Sequence, residues 1–247
     1  MRKFLLLMIS ILVVCLFSGF VSLHSQQQRP SEDNEVATPV IEDELTAQQR
    51  EHSKLYETYE RKNKIRDVLM KRQGGLRSFS TACGFISLEP LPDLVTELTQ
   101  KADAVAIVTF LSKSSQITAN GTYIFTDYTL RVDEALKDAR TGMLKPESTI
   151  TVTRPGGKVL LYGQIASHTA LTFKPLQPGR RYLLFLTYLP STGAYRAVNA
   201  DSSFDITDTR VESLNEGTSR YFEKDLGPFV TSVRQAVAGD RKKGGAQ

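Results

Sequence analysis

The chain has 247 residues, a formal charge of +4 and an apolar fraction of 40%. Its ends are unlike its middle, which suits one main domain. Loss of Arg2 and Lys3 with a leader would leave 29 basic residues against 27 acidic ones, without the concentrated basic stripe of a nucleic-acid binder, so no nucleic-acid partner is expected.

Residues 1–25 read as an export segment. Arg2-Lys3 form a positive start, and Phe4–Leu23 is a long, mostly apolar run. Two fates compete. Ser22 or Ser25 could precede a cleavage site, but the run is long for a cleaved leader, so an uncleaved single-span anchor through residues 4–23 is the rival. A lipid on Cys15 is disfavoured by Val14, where a lipobox wants a small residue. Each case puts the body outside the cytoplasm, anchored, periplasmic or secreted. Residues 26–45 combine Gln26-Gln27-Gln28, two prolines and a cluster of acids, the composition of a flexible linker.

Residues 46–75 form a charged segment. Thr46 is a candidate N-cap, and Gly74-Gly75 ends a helix predicted over 46–72. Its apolar stripe is thin and its second half basic, so it is expected to be solvated and loosely packed. Gly75–Leu91 reads as irregular. It holds Cys83, the only cysteine besides Cys15, so no disulfide can form within a processed chain and packing alone must hold the core.

The main domain is expected over 88–240. A short helix over 92–102 feeds Ala104–Ser112, an almost unbroken apolar run of the kind a strand covered on both faces requires. Lys113-Ser114-Ser115 should end that strand. Asn120-Gly121 is a turn signal leading into Tyr123–Ala135. Ser148–Thr153 alternates cleanly as a third strand, and Arg154-Pro155-Gly156-Gly157 is a sharp turn. Lys158–Ile165 and Ala170–Phe173 are read as the two strands of a flap. Arg181–Tyr188 is a second strand apolar on both faces, Tyr195–Val198 pairs with it, and Phe204–Ile206 with Val211 makes an edge. A closing helix runs over 226–238, stopped by Gly239.

The succession KADAVAIVTFL, YTLRVDEALK, ITVTRPGG and PGRRYLLFL, over roughly residues 92–212, resembles secreted bacterial proteins of unassigned function with an OB-like barrel. More distantly it resembles the netrin-like module of tissue inhibitors of metalloproteinases. The resemblance implies a mainly β fold, an OB-like barrel of five to seven strands with flanking helices at 46–72, 92–102 and 226–238. That inhibitor family is disulfide-bonded and sets an N-terminal cysteine on the protease zinc. This chain has no match for either feature, so zinc-directed inhibition is not carried over.

Motifs of catalysis are few. His24, His52 and His168 lack metal-ligand spacing, and no nucleophile elbow, phosphate loop or dinucleotide fingerprint is present. No cofactor is expected. Gly156-Gly157 is read as turn chemistry, and Asn120-Gly121-Thr122 fits a glycosylation sequon that a hairpin turn also explains. Arg154, Lys158, Tyr162, His168, Arg180 and Arg181 flank the flap and form the candidate ligand-binding set. The expected function is that of an exported, non-enzymatic module binding a protein or envelope component. The alternatives are a secreted hydrolase using His168 or Cys83, or an envelope scaffold acting through its helices.

Overall fold

The structure is a computed structural model and describes residues 37–39, 45–58, 64–70, 77–81, 91–139, 142–170, 172–215 and 223–244. Contacts divide the chain into Met1–Glu35 and Val36–Gln247, and every described residue lies in the second unit. The leader or anchor over 1–25, most of the linker over 26–45, and Cys83 fall outside the described residues. Among those described, no helix is long and apolar enough to cross a membrane.

The fold is mainly β, with two sheets and a few helices. The large sheet is built on a hairpin of β3 (Ala104–Ile117) and β4 (Ile124–Asp138). Beside it stand β5 (Thr149–Pro155), β8 (Arg181–Leu189), β9 (Ala194–Ala197), β10 (Ser203–Ile206), β11 (Arg210–Ser213) and β12 (Glu223–Asp225), in the order β12-β11-β10-β8-β3-β4-β5-β9. Strand β9 also pairs with β8, so it runs antiparallel to β8 and parallel to β5.

The two doubly apolar runs sit side by side, β3 against β8. Ala104, Ala106, Val108 and Phe110 face one cluster with Tyr128, Leu130, Ile150, Val152, Tyr182, Leu184 and Tyr195. Val105 and Ile107 point the other way, with Leu183 and Phe185, beneath two helices, α3 (Leu91–Lys101) and α4 (Leu226–Gly244). A period of two with cover on both faces is why these strands read as unbroken apolar sequence.

Strand β3 does not stop at Lys113-Ser114-Ser115. It runs on to Ile117, because those polar residues pair with Tyr128, Asp127 and Thr126 of β4 beyond the apolar stretch. The far end of this long hairpin supports the second sheet, ordered β1 (Thr38–Pro39), β6 (Gly157–Leu161), β7 (Gln164–Ala170) and β2 (Arg77–Thr81). Ile117 and Ile124 there pack with Val159, Leu161 and Ala166, and with Ile65 and Leu69.

Several expectations are corrected. The helix over 46–72 is two pieces, α1 (Ala47–Tyr56) and α2 (Ile65–Met70). Thr46 does cap α1, through a capping box with Gln49. The segment is packed rather than solvated: His52, Ser53, Tyr56, Ile65 and Leu69 are buried. A stripe thin in aliphatic residues is completed here by Tyr56 and His52. Strands β1 and β2 lie where a linker and an irregular stretch were expected; both bond parallel to the flap hairpin, a partner distant in sequence. The flap turns at Tyr162-Gly163, so its strands are β6 and β7, and Ala170 ends the second strand rather than starting it. The closing helix passes Gly239 to Gly244. Asp240 pairs with the buried Lys137 at 2.7 Å, and Arg241 donates to the Leu136 carbonyl oxygen at 3.4 Å.

Candidate functional site

The flap hairpin is set at the junction of the two sheets. After Pro155 the chain passes through Gly156 and Gly157, with φ of 88° and 141°. A Cβ on Gly157 would lie 2.3 Å from Thr126 Oγ1 and 2.6 Å from Ser115 Oγ. Those two hydroxyls share a hydrogen bond of 2.8 Å, and Thr126 Oγ1 donates to the Gly156 carbonyl oxygen at 2.7 Å. The glycine pair therefore serves a close backbone approach as well as a turn.

The turn Tyr162-Gly163 has both residues at positive φ, as a two-residue primed hairpin requires. One face of the hairpin is core, through Val159, Leu161 and Ala166. The other exposes Leu160 and its cross-strand partner Ile165, each 36% accessible, beside Tyr162 at 47%. Met70, 63% accessible, ends α2, which packs through Ile65 and Leu69 on the core face of the hairpin, where Gln164 Nε2 donates to the Leu69 carbonyl oxygen at 3.2 Å. Lys158 shares the parity of Leu160 and is half-buried.

The remaining candidates separate. His168 is buried, its ring centroid 4.0 Å from that of Tyr123. Arg180 and Arg181 are exposed and paired, to Asp205 at 2.8 Å and Asp133 at 3.3 Å. Burial holds the Asp205 carboxyl above the ordinary value, and the bond from Arg180 only partly offsets it. Arg154 follows Ile150 and Val152 on the inner face of β5 and is 2% exposed. Its guanidinium carbon lies 5.3 Å from the Phe173 ring centroid. Desolvation pulls its pKa down. The structure thus brings Lys158 and Tyr162 onto the hairpin, buries Arg154 and His168, and leaves the arginine pair at 180–181 on the surface.

A second constellation has no sequence signal. His52 of α1 is 1% exposed. Its Nδ1 is 2.9 Å from Asp127 Oδ1 of β4, and its Nε2 is 3.0 Å from Thr192 Oγ1 in the β8–β9 turn. Against an ionised carboxylate Nδ1 donates, and in the neutral imidazole Nε2 then accepts from the Thr192 hydroxyl. This is the order of a hydroxyl–imidazole–carboxylate relay. It is also a clip: it ties α1 to β4 and to the turn, and Tyr56 of α1 then stacks on Tyr123 and Phe125 at 6.1 and 5.6 Å. The partners are 75 and 140 residues away in sequence, so only the fold assembles them.

Among the described residues no group of three or more His, Cys, Asp and Glu side chains could hold a metal ion. No protein-family model matches the chain, and no curated protein matches it.

Proposed function

We propose that the chain is an exported, non-enzymatic interaction module on an OB-like barrel, and that it binds a protein or envelope partner through the exposed face of the flap hairpin. The observation that carries the binding reading is where the exposed apolar residues lie. Among the described residues six large hydrophobic side chains are exposed; Leu160, Tyr162 and Ile165 fall together on the hairpin, and Met70, Leu111 and Met143 lie elsewhere. Apolar side chains gathered on one exposed face mark interaction sites.

The barrel reading rests on the pairings. From β8 they run through β3, β4, β5 and β9 and return to β8, with one parallel step at β5–β9. The side chains of one large cluster come from all five strands. OB-type barrels bind on a sheet face and its adjoining loops, which is where the flap is inserted. The export reading rests on Arg2-Lys3 and the apolar run Phe4–Leu23.

The test is capture from the native envelope with the full chain, wild type and the double variant Leu160→Thr/Ile165→Thr. Both substitutions are exposed and keep strand-forming character, so melting should be unchanged. A partner held by the wild type and lost by the variant is the expected result. The same partner held equally by both would remove the hairpin from the binding site.

A second reading, ester or amide hydrolysis, is favoured by the Thr192–His52–Asp127 chain rather than by His168. Thr192 Oγ1 would add to the substrate carbonyl carbon as His52 Nε2 takes its proton. The proton would pass to the leaving group, and water would then release the acyl group. Intact-mass measurement after an activated acetate ester decides it: an interaction module gains no acetyl on Thr192, whereas a hydrolase gains one that Thr192→Val and His52→Asn abolish.

A further inference from the structure

Arg154 is a fully buried cation, 2% exposed, and among the described residues none of its three guanidinium nitrogens has a hydrogen-bond partner. The Phe173 ring faces the cation, with 5.3 Å between the ring centroid and Cζ, which leaves the in-plane fork of N–H donors unused. A guanidinium does not escape burial by losing its proton. Leaving a charge and its donors buried without a partner is strongly unfavourable.

The neighbouring phenols do not supply the counter-charge. The Tyr56 hydroxyl donates to Thr153 Oγ1 at 3.4 Å, and the Tyr182 hydroxyl accepts the Gln177 backbone N–H at 2.7 Å. Burial raises the pKa of both, so both stay neutral.

We propose that Arg154 is the anchor of a buried anion site, and that its ligand is the carboxylate of a small organic acid. The fork geometry of guanidinium matches two oxygens in one plane. A single buried positive charge is balanced by a monoanion, whereas a dianion would leave one negative charge buried. The Phe173 ring centroid lies 5.3 Å from the guanidinium carbon, and Arg154 shares the inner face of β5 with Ile150 and Val152, which suits an acid whose body is apolar. The site is separate from the exposed hairpin face, so it stands or falls independently of the binding reading above.

The experiment is thermal unfolding of the full chain in acetate, benzoate, chloride and sulfate at matched ionic strength, for the wild type and Arg154→Met. Met fills a similar length of apolar space without charge or donors. In the wild type, a saturable rise in Tm with benzoate or acetate, about 5 °C or more at concentrations far above Kd, is expected over chloride and sulfate. Arg154→Met should lose that rise. Equal Tm in all four anions, or the same rise in the variant, would overturn the site. A larger rise in sulfate than in carboxylate would overturn the ligand class. If the variant does not fold, titration of wild-type protein carrying 15N-labelled arginine decides. A buried arginine Nε–H resonance that moves with benzoate and not with chloride supports the site, and one that does not move refutes it.

Discussion

Gly157→Ala probes the joint that carries the flap. Its φ of 141° lies where side-chain-bearing residues are strained, a cost of about 1–3 kcal/mol. The new methyl would also meet Thr126 Oγ1 at 2.3 Å and Ser115 Oγ at 2.6 Å. Neither oxygen is the free end of a flexible side chain. Both are buried, bonded to each other, and Thr126 is bonded to the Gly156 carbonyl oxygen. Forcing atoms into such a packed place costs a further ~1–3 kcal/mol. Together these predict a loss of about 2–6 kcal/mol, a drop in Tm of roughly 5–20 °C for a domain of this size. Urea unfolding monitored by far-UV circular dichroism reads it as a lower midpoint at constant slope. The same substitution in a Ser115→Ala/Thr126→Ala background separates the two causes. With both oxygens gone, the backbone strain and a 3.2 Å approach to the residue 115 Cβ remain, and the cost should fall toward about 1–3 kcal/mol. A Gly157→Ala protein within about 0.5 kcal/mol of the wild type would refute the close-approach account.

Two further perturbations test other parts. Asp205→Asn reports on the buried carboxyl, which faces Arg180 and sits opposite Glu212. Its folded pKa is raised, so its contribution to stability is greatest below the ordinary aspartate value and is lost as pH rises through the folded value. The stability of Asp205→Asn minus that of the wild type should therefore grow with pH above about 3.8 and then level off, in urea unfolding across pH 3–7. A difference that shrinks with pH over that range would reverse the assigned cause. His52→Ala removes both bonds of the clip and leaves the Asp127 carboxylate short of a donor. A loss of about 2–4 kcal/mol is expected, with increased hydrogen exchange confined to α1, and Thr192→Val should cost less because no charge loses its partner. Uniform exchange across the domain would mean that α1 is not held by this clip.

The large sheet was legible because its chemistry is local. Runs apolar on both faces at Ala104–Phe110 and Tyr182–Leu186 can only be satisfied by cover on both sides, and α3, α4 and the inner cluster supply it. Asn120-Gly121 marked its hairpin for the same reason; Gly121 takes φ of 76°, and the Asn120 side-chain oxygen accepts from Thr118 Oγ1 and the Thr122 N–H. The short strands β1 and β2 were not legible. Each bonds parallel to a flap strand more than 80 residues away, and neither has an apolar pattern of its own. Helix α4 was cut short at Gly239 because a glycine there reads as a stop, while the reason it continues is the ion pair between Asp240 and Lys137 a hundred residues earlier.

The candidate site divides along the same line. Exposure on the hairpin follows from its two-residue alternation, so Leu160 and Ile165 could have been separated from Val159, Leu161 and Ala166 once the turn was set at Tyr162-Gly163. Grouping the basic residues around the flap by proximity in sequence was a weaker guide. Arg154 continues the inward parity of Ile150 and Val152, and strand alternation carries a charge into the cluster that a loop position would have left in water. The same alternation sends Lys158 outward with Leu160. Two basic residues four apart, one either side of Gly156-Gly157, therefore end differently, Arg154 fully buried and Lys158 half-buried. That difference is why the unpartnered charge of Arg154, and not Lys158, is assigned a ligand of its own.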